Sequence, residues 1–129
     1  MPGERDLEAI LASLDVVRDP GVFVVAQLPA GIEPPAGTRA WVREREGLAV
    51  VLTREDAEAA GLPFVFESAW LTVTVHTSFE AVGLTAAFAT RLAAEGIPAN
   101  VLAGFHHDHI LVPADRADDA IAALRSLRR

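Results

Sequence analysis

The chain has 129 residues, a length that fits one compact domain or two very small subdomains sharing a core and excludes a multidomain enzyme. Eighteen acidic residues against eleven basic ones leave a formal charge of -7, so the overall field repels nucleic acid and anionic membrane surfaces. All the basic residues are arginine and there is no cysteine, which removes lysine Schiff bases, the phosphate-loop lysine, disulfides, thiolate zinc sites and thiol catalysis. A hydrophobic content of 51% supplies a core. No apolar stretch reaches the roughly 20 residues needed to span a bilayer, and the acidic start Met1 to Leu14 lacks the basic region of a signal peptide. The expectation is a soluble, cytoplasmic protein with no nucleic-acid or membrane partner.

Leu7, Ile10, Leu11 and Leu14 recur at helical spacing, with Glu4, Asp6 and Glu8 early where the helix dipole favours negative charge. This predicts a short amphipathic helix ending before the turn Asp19-Pro20-Gly21. The β-branched and aromatic run Val22 to Leu28 reads as a buried strand. A loop rich in proline and glycine follows, from Pro29 to Gly37. Ala40 to Arg45 and Leu48 to Leu52 then flank Glu46-Gly47 as a hairpin. Thr53, three residues before Asp56, gives a weak form of the capping box for a short helix over Ala57 to Ala60, ended by Gly61.

The second half is more regular. Trp70 to His76 alternates, with Leu71, Val73 and Val75 on one face and Thr72, Thr74 and His76 on the other, the pattern of a half-covered strand. Leu84, Phe88 and Leu92 form a helical stripe backed by small alanines, ended at Gly96. Ile97 to Gly104 reads as a strand, Phe105 to Asp108 as a turn, and Ile110 to Val112 as a returning strand. Asp115 is placed to cap a last helix whose buried stripe is Ala117, Ala120, Ile121, Leu124 and Leu127. The order β-α-β-β-α is a split βαβ unit without its fourth strand. The open sheet edge must be filled, and Val22 to Leu28 is the candidate, which implies two interleaved halves.

Several of these segments resemble a known family. Val82-Gly83-Leu84-Thr85-Ala86-Ala87-Phe88, followed by Leu92-Ala93-Ala94-Glu95-Gly96-Ile97-Pro98-Ala99-Asn100-Val101, is similar to the helix and second strand of the ACT domain. The hairpin His107 to Pro113 and the helix Ala117 to Leu124 resemble its remainder. Glu46-Gly47-Leu48-Ala49-Val50-Val51-Leu52 ahead of Trp70-Leu71-Thr72-Val73 is similar to small stand-alone bacterial proteins with tandem ACT-like halves. Those proteins are related in pattern to the regulatory domains of aspartate kinases. The resemblance spans roughly residues 44 to 126. It implies an α+β fold, ferredoxin-like βαββαβ, as two interleaved halves with antiparallel sheets and helices on one face. The expected division is a degenerate N-terminal ACT-like half over 1–61 and a C-terminal one over 62–129. The implied role is non-catalytic: a cytoplasmic regulatory module, without a cofactor, that senses an amino acid or related small metabolite. It would act as a homodimer, passing its output to an effector protein.

The residues add a site. The loop His76, Thr77, Ser78, Phe79, Glu80, Ala81, Val82 leads through Gly83 to Leu84, where the first free helix amides form a weak anion site suited to a carboxylate. Asn100, Val101 and Leu102 would offer backbone donors and acceptors to the same ligand. The plainer reading is a capping box from Thr77 to Glu80, a packing glycine at 83 and an ordinary strand ladder. Two enzyme readings stand as alternatives. His106, His107 and His109 beside Asp108 could supply metal ligands, although such a site needs more donors. Ser78 with His76 and Asp108 could be imagined as a triad, but no nucleophile-elbow pattern accompanies it. A dimerisation module without ligand is a third class. The Glu44-Arg45-Glu46 cluster is a solvated hairpin end or, beside a cleft, an acceptor for an ammonium group.

Overall fold

A computed structural model describes residues 6–75 and 82–128 of the chain. The elements in order are α1 (Leu7–Ala12), β1 (Asp15–Arg18), β2 (Phe23–Leu28), β3 (Ala40–Glu44), β4 (Gly47–Thr53), α2 (Arg54–Ala59), β5 (Phe64–Thr74), α3 (Leu84–Ala94), β6 (Asn100–Ala103), β7 (Asp108–Pro113) and α4 (Ala117–Arg125). They form two compact units that are nested in sequence. The inner unit is Pro20–Ala69, and the enclosing unit joins Met1–Asp19 to Trp70–Arg129. The halves are therefore interleaved, as expected, and both have the α+β, ferredoxin-like character.

In the inner unit the strand order is β3-β4-β2-β5, with β2 antiparallel to both β4 and β5. Alternation decides which side is buried. Val24, Ala26 and Leu28 of β2 and Leu48, Val50 and Leu52 of β4 form one core with Ala57 of α2, and Leu62 and Phe64 pack against it. The expected hairpin is present, closed at Glu44 opposite Gly47. Gly47 has a φ of 153°, and a Cβ there would collide with the Leu28 carbonyl oxygen, so only glycine fits. Thr53 caps α2 as expected: its Oγ1 accepts from the Asp56 N–H at 3.1 Å. Where the split βαβ pattern would place its first helix, between β2 and β3, this unit has a loop over residues 29–39.

β5 starts six residues earlier than its alternation suggested, at Phe64. Its pairing with β2 slips between Phe23 and Val25, and Phe66 there adopts a φ of 60°. A bulge of this kind reverses which residues face the core, so no single period describes the whole strand. Ser68, fully buried, donates its hydroxyl to the Phe23 carbonyl at 2.8 Å.

In the enclosing unit Trp70–Thr74 of β5 lies between β1 and β7, and β6 pairs with the far side of β7. The edge expected to take Val22 to Leu28 is instead filled by β1, which pairs antiparallel from Asp15 opposite Thr74 to Arg18 opposite Leu71. β2 does pair with β5, but with its Phe64–Ser68 part. The helical stripe of the N-terminus breaks at Ala12; Leu14 is buried without being helical. Two C-terminal arginines hold this short strand. Arg125 Nη2 donates to the Val16 carbonyl at 3.0 Å and Arg128 Nε to the Leu14 carbonyl at 2.9 Å.

The buried residues of this unit include Val16, Leu71, Val73, Ile110 and Val112 from the sheet, Leu84, Phe88 and Leu92 from α3, and Ala117, Ala120, Ala123 and Leu124 from α4. Ala123, not Ile121, completes the α4 stripe. Asp115 is not a cap: it sits in a 3-10 turn over Ala114–Arg116, and α4 follows from Arg116 with no side-chain cap. β6 begins only at Asn100, because Pro98 has no N–H to give a ladder. No helix among the described residues is long and apolar enough to cross a membrane.

Candidate functional site

The expected ligand-binding residues fall in the enclosing unit. His76, Thr77, Ser78, Phe79, Glu80 and Ala81 lie outside the described residues, as do the Thr77–Glu80 capping box and two members of the imagined triad. Val82 is strongly exposed. Gly83 occupies the N-cap of α3 at a φ of 93°, with no side-chain cap bond and no acidic residue in the first turn. A Cβ on Gly83 would meet only Leu7 Cδ2, at an ordinary 3.5 Å. Glycine is demanded here by the left-handed backbone rather than by crowding. Leu84 turns into the core. Among the described residues, the first-turn N–H groups of α3 thus have no capping side chain, the state in which a helix start attracts an anion.

Asn100, Val101 and Leu102 form most of β6. It lies at the end of this unit's strand order and pairs only with β7 among the described residues. Asn100 is exposed, and Val101 and Leu102 are half-buried. Val101 lies opposite buried Ile110, and Leu102 opposite His109. No hydrogen bond joins the α3 start to β6 among the described residues.

The three described histidines are arranged differently from a metal centre. Phe105, His106, His107 and His109 run in series, with ring centroids 4.9, 6.2 and 6.4 Å apart. Among the described residues no three His, Cys, Asp or Glu side chains converge in a way that could hold a metal. His109 has a structural occupation that the sequence did not reveal. The Trp70 indole N–H donates to its Nδ1 at 3.1 Å, and the Thr72 hydroxyl lies 3.2 Å from the same nitrogen and 3.3 Å from Asp19 Oδ1. An indole can only donate. Nδ1 must therefore be an acceptor, which leaves the proton of neutral His109 on Nε2.

The hairpin around His109 is tight: a Cβ on Gly104 would come within 2.7 Å of the His107 carbonyl oxygen and 2.8 Å of His109 Nε2. The pKa of Asp108, at the start of β7, is raised from its ordinary value by burial, an effect that a protonated His109 would partly oppose. The only signal for this network was the alternation that placed Trp70 and Thr72 on one face. The register of β5 against β7 was invisible.

Comparison with known proteins agrees with these topologies. An ACT domain family model matches residues 2–69 and a second ACT domain model matches residues 65–126. No curated protein matches the chain. Among solved structures, a Vibrio cholerae protein of unknown function is 40% identical, with a TM-score of 0.84, over 97% of this chain and 98% of that one. A protein from Agrobacterium tumefaciens is 19% identical over 88% of both chains, TM-score 0.69. The ligand-free regulatory subunit of aspartate kinase from Thermus thermophilus is 11% identical, TM-score 0.65, over 88% of this chain and 97% of that one. The last two show a shared fold. With ACT models covering residues 2–69 and 65–126, the chain belongs to the ACT domain family, whose members are regulatory modules that bind small molecules.

Proposed function

We propose that this chain is a non-catalytic, cytoplasmic regulatory module that binds an amino acid or a closely related metabolite through its C-terminal ACT-like half. The carboxylate would sit on the first-turn amides of α3, from Gly83 and Leu84 onward, with His76 to Val82 counted among the residues of the same site. Backbone groups of Asn100, Val101 and Leu102 would take the ammonium group. The observation that carries the reading is the α3 start, where a glycine N-cap brings no side-chain acceptor to the amides among the described residues and the first turn of the helix contains no acidic residue.

The N-terminal half, residues 1–61, is the degenerate partner in this reading, supported by the loop that stands where its first helix would be. The side of β6 that pairs with no strand among the described residues favours assembly as a homodimer, and an effector protein would receive the output. Thermal-shift and calorimetric screening against the twenty amino acids tests the proposal. A ligand at 100 times its dissociation constant stabilises by about 2.7 kcal/mol. Absence of any saturable binding across that set would overturn it, and light scattering over micromolar concentrations tests the dimer.

A further inference from the structure

The inner unit carries a cleft that the regulatory reading leaves unused. The register pairs Val25 with Val51 and Val65, and Gln27 with Ala49, which in turn lies opposite Val42. Residues opposite one another share a face, so this is the side of the sheet turned away from the Val24, Ala26 and Leu28 core. It is not a polar surface: Val65 is 67% exposed and Val42 55%. A cleft of about 590 Å³ opens on it, floored by Val25, Ala49 and Val65 and rimmed by Gln27, Glu44 and Glu46. That volume lies within the range of small-molecule sites, and an apolar floor with a few convergent polar groups is their usual make-up.

The rim has one sign of charge. Glu44 shares its face with Val42, while alternation sends Arg43 to the other side, opposite Leu48. Glu44, Glu46 and Gln27 make no ion pair or side-chain hydrogen bond among the described residues. Two carboxylates thus border an apolar cleft without an ion-pair partner among the described residues. Two copies of the chain meeting through this face would set their own carboxylates against each other, which disfavours self-association.

We infer that this cleft is a second binding site, for a small protonated amine with a branched aliphatic or aromatic body. The apolar part lies on Val25, Ala49 and Val65, and the ammonium group faces Glu44 and Glu46 with the Gln27 amide beside them. The site lies wholly within Pro20–Ala69, whereas the proposed carboxylate site lies in the enclosing unit, so either can fail without the other.

The test uses the intact ¹⁵N-labelled protein with two probes of matched shape, isopentylammonium and 4-methylpentanoate. The amine is expected to shift the amides of residues 25–27, 44–49 and 64–65 saturably, and the carboxylate to leave them unmoved. The paired substitution E44Q with E46Q is expected to weaken amine binding about three- to tenfold, the scale of two solvent-exposed ion pairs, and added salt to weaken it further. Ala49→Leu, which fills the floor, is expected to abolish binding while the spectrum remains that of a folded chain. Equal binding of the carboxylate, an unchanged affinity in the E44Q/E46Q protein, or no saturable shift with the amine would each overturn the inference. So would shifts confined to residues 82–84 and 100–102, or shifts at the cleft that follow protein concentration instead of amine.

Discussion

Thr85 offers a test of the proposed carboxylate site in which stability and affinity move in opposite directions. It is exposed in the first turn of α3, which contains no acidic residue. Replacing it by glutamate places a negative charge where the helix dipole favours one, worth about 0.3–1 kcal/mol. In a chain of this size that corresponds to a rise in Tm of roughly 1–5 °C. The same charge opposes a bound carboxylate. At about 6 Å and an effective dielectric between about 40 and 80, the repulsion is ~0.7–1.4 kcal/mol, or roughly three- to tenfold in Kd. Thr85→Gln matches the side-chain shape and helix propensity without the charge and is expected to change neither quantity much. Urea denaturation reads the stability, and calorimetry with the amino acid that the wild type accepts reads the affinity. A glutamate variant that is stabilised yet binds as tightly as the glutamine variant would show that the α3 start does not hold the carboxylate.

Other expectations follow from the packing. Gly47→Ala drives a Cβ against the Leu28 carbonyl at a backbone conformation side chains avoid, and should cost at least about 1–3 kcal/mol in chemical denaturation; an unchanged midpoint would mean the hairpin is not tight. Thr53→Ala removes the α2 cap and should cost about 1 kcal/mol. Because burial raises the Asp108 pKa in the folded state, the unfolded carboxyl releases its proton first as pH rises. Ionised Asp108 therefore reduces stability above its folded pKa, so Asp108→Asn should gain stability over wild type at pH 7 and lose that advantage as pH falls through the carboxylate range; a difference independent of pH would refute the sign. Finally, the Trp70–His109 bond requires that imidazole ¹⁵N spectra of neutral His109 show Nδ1 unprotonated, and the opposite tautomer would exclude it.

What could be read from the sequence is set by the range of the forces involved. The β3–β4 hairpin, the Thr53 cap and the Leu84, Phe88, Leu92 stripe are local, fixed by alternation, turn chemistry and helical spacing, and each stands where its residues predict. β1 escaped notice because Ile10, Leu14 and Val17 continue a helical spacing into it, although Val17 proves an exposed strand residue. What makes Asp15–Arg18 a strand is a partner more than fifty positions away. Phe66 hid the first part of β5, since a bulge breaks the period that identifies a strand. Of the proposed site, the glycine at 83 was legible but its reason was not: a positive φ can be seen only in the folded backbone. His109 illustrates the same limit. Its neighbours Trp70 and Thr72 are nearly forty residues distant in sequence, so a run of histidines looked like a cluster of donors instead of one residue already engaged.

The pairing of β1 with the end of β5 has a bearing on how the chain reaches its fold. Residues 15–18 leave the ribosome long before their partners at 71–74, and closing a loop of more than fifty residues carries a substantial entropic cost. Assembly of the inner unit removes most of it, because Phe23 then lies directly across from Ser68 and the two ends of the insertion are held side by side. The effective loop between Arg18 and Leu71 shrinks to a handful of residues. At about 0.6 kcal/mol per halving, this lowers the closure cost by roughly 2 kcal/mol. Residues 20–69 are thereby expected to order first, with the N-terminal strand joining last.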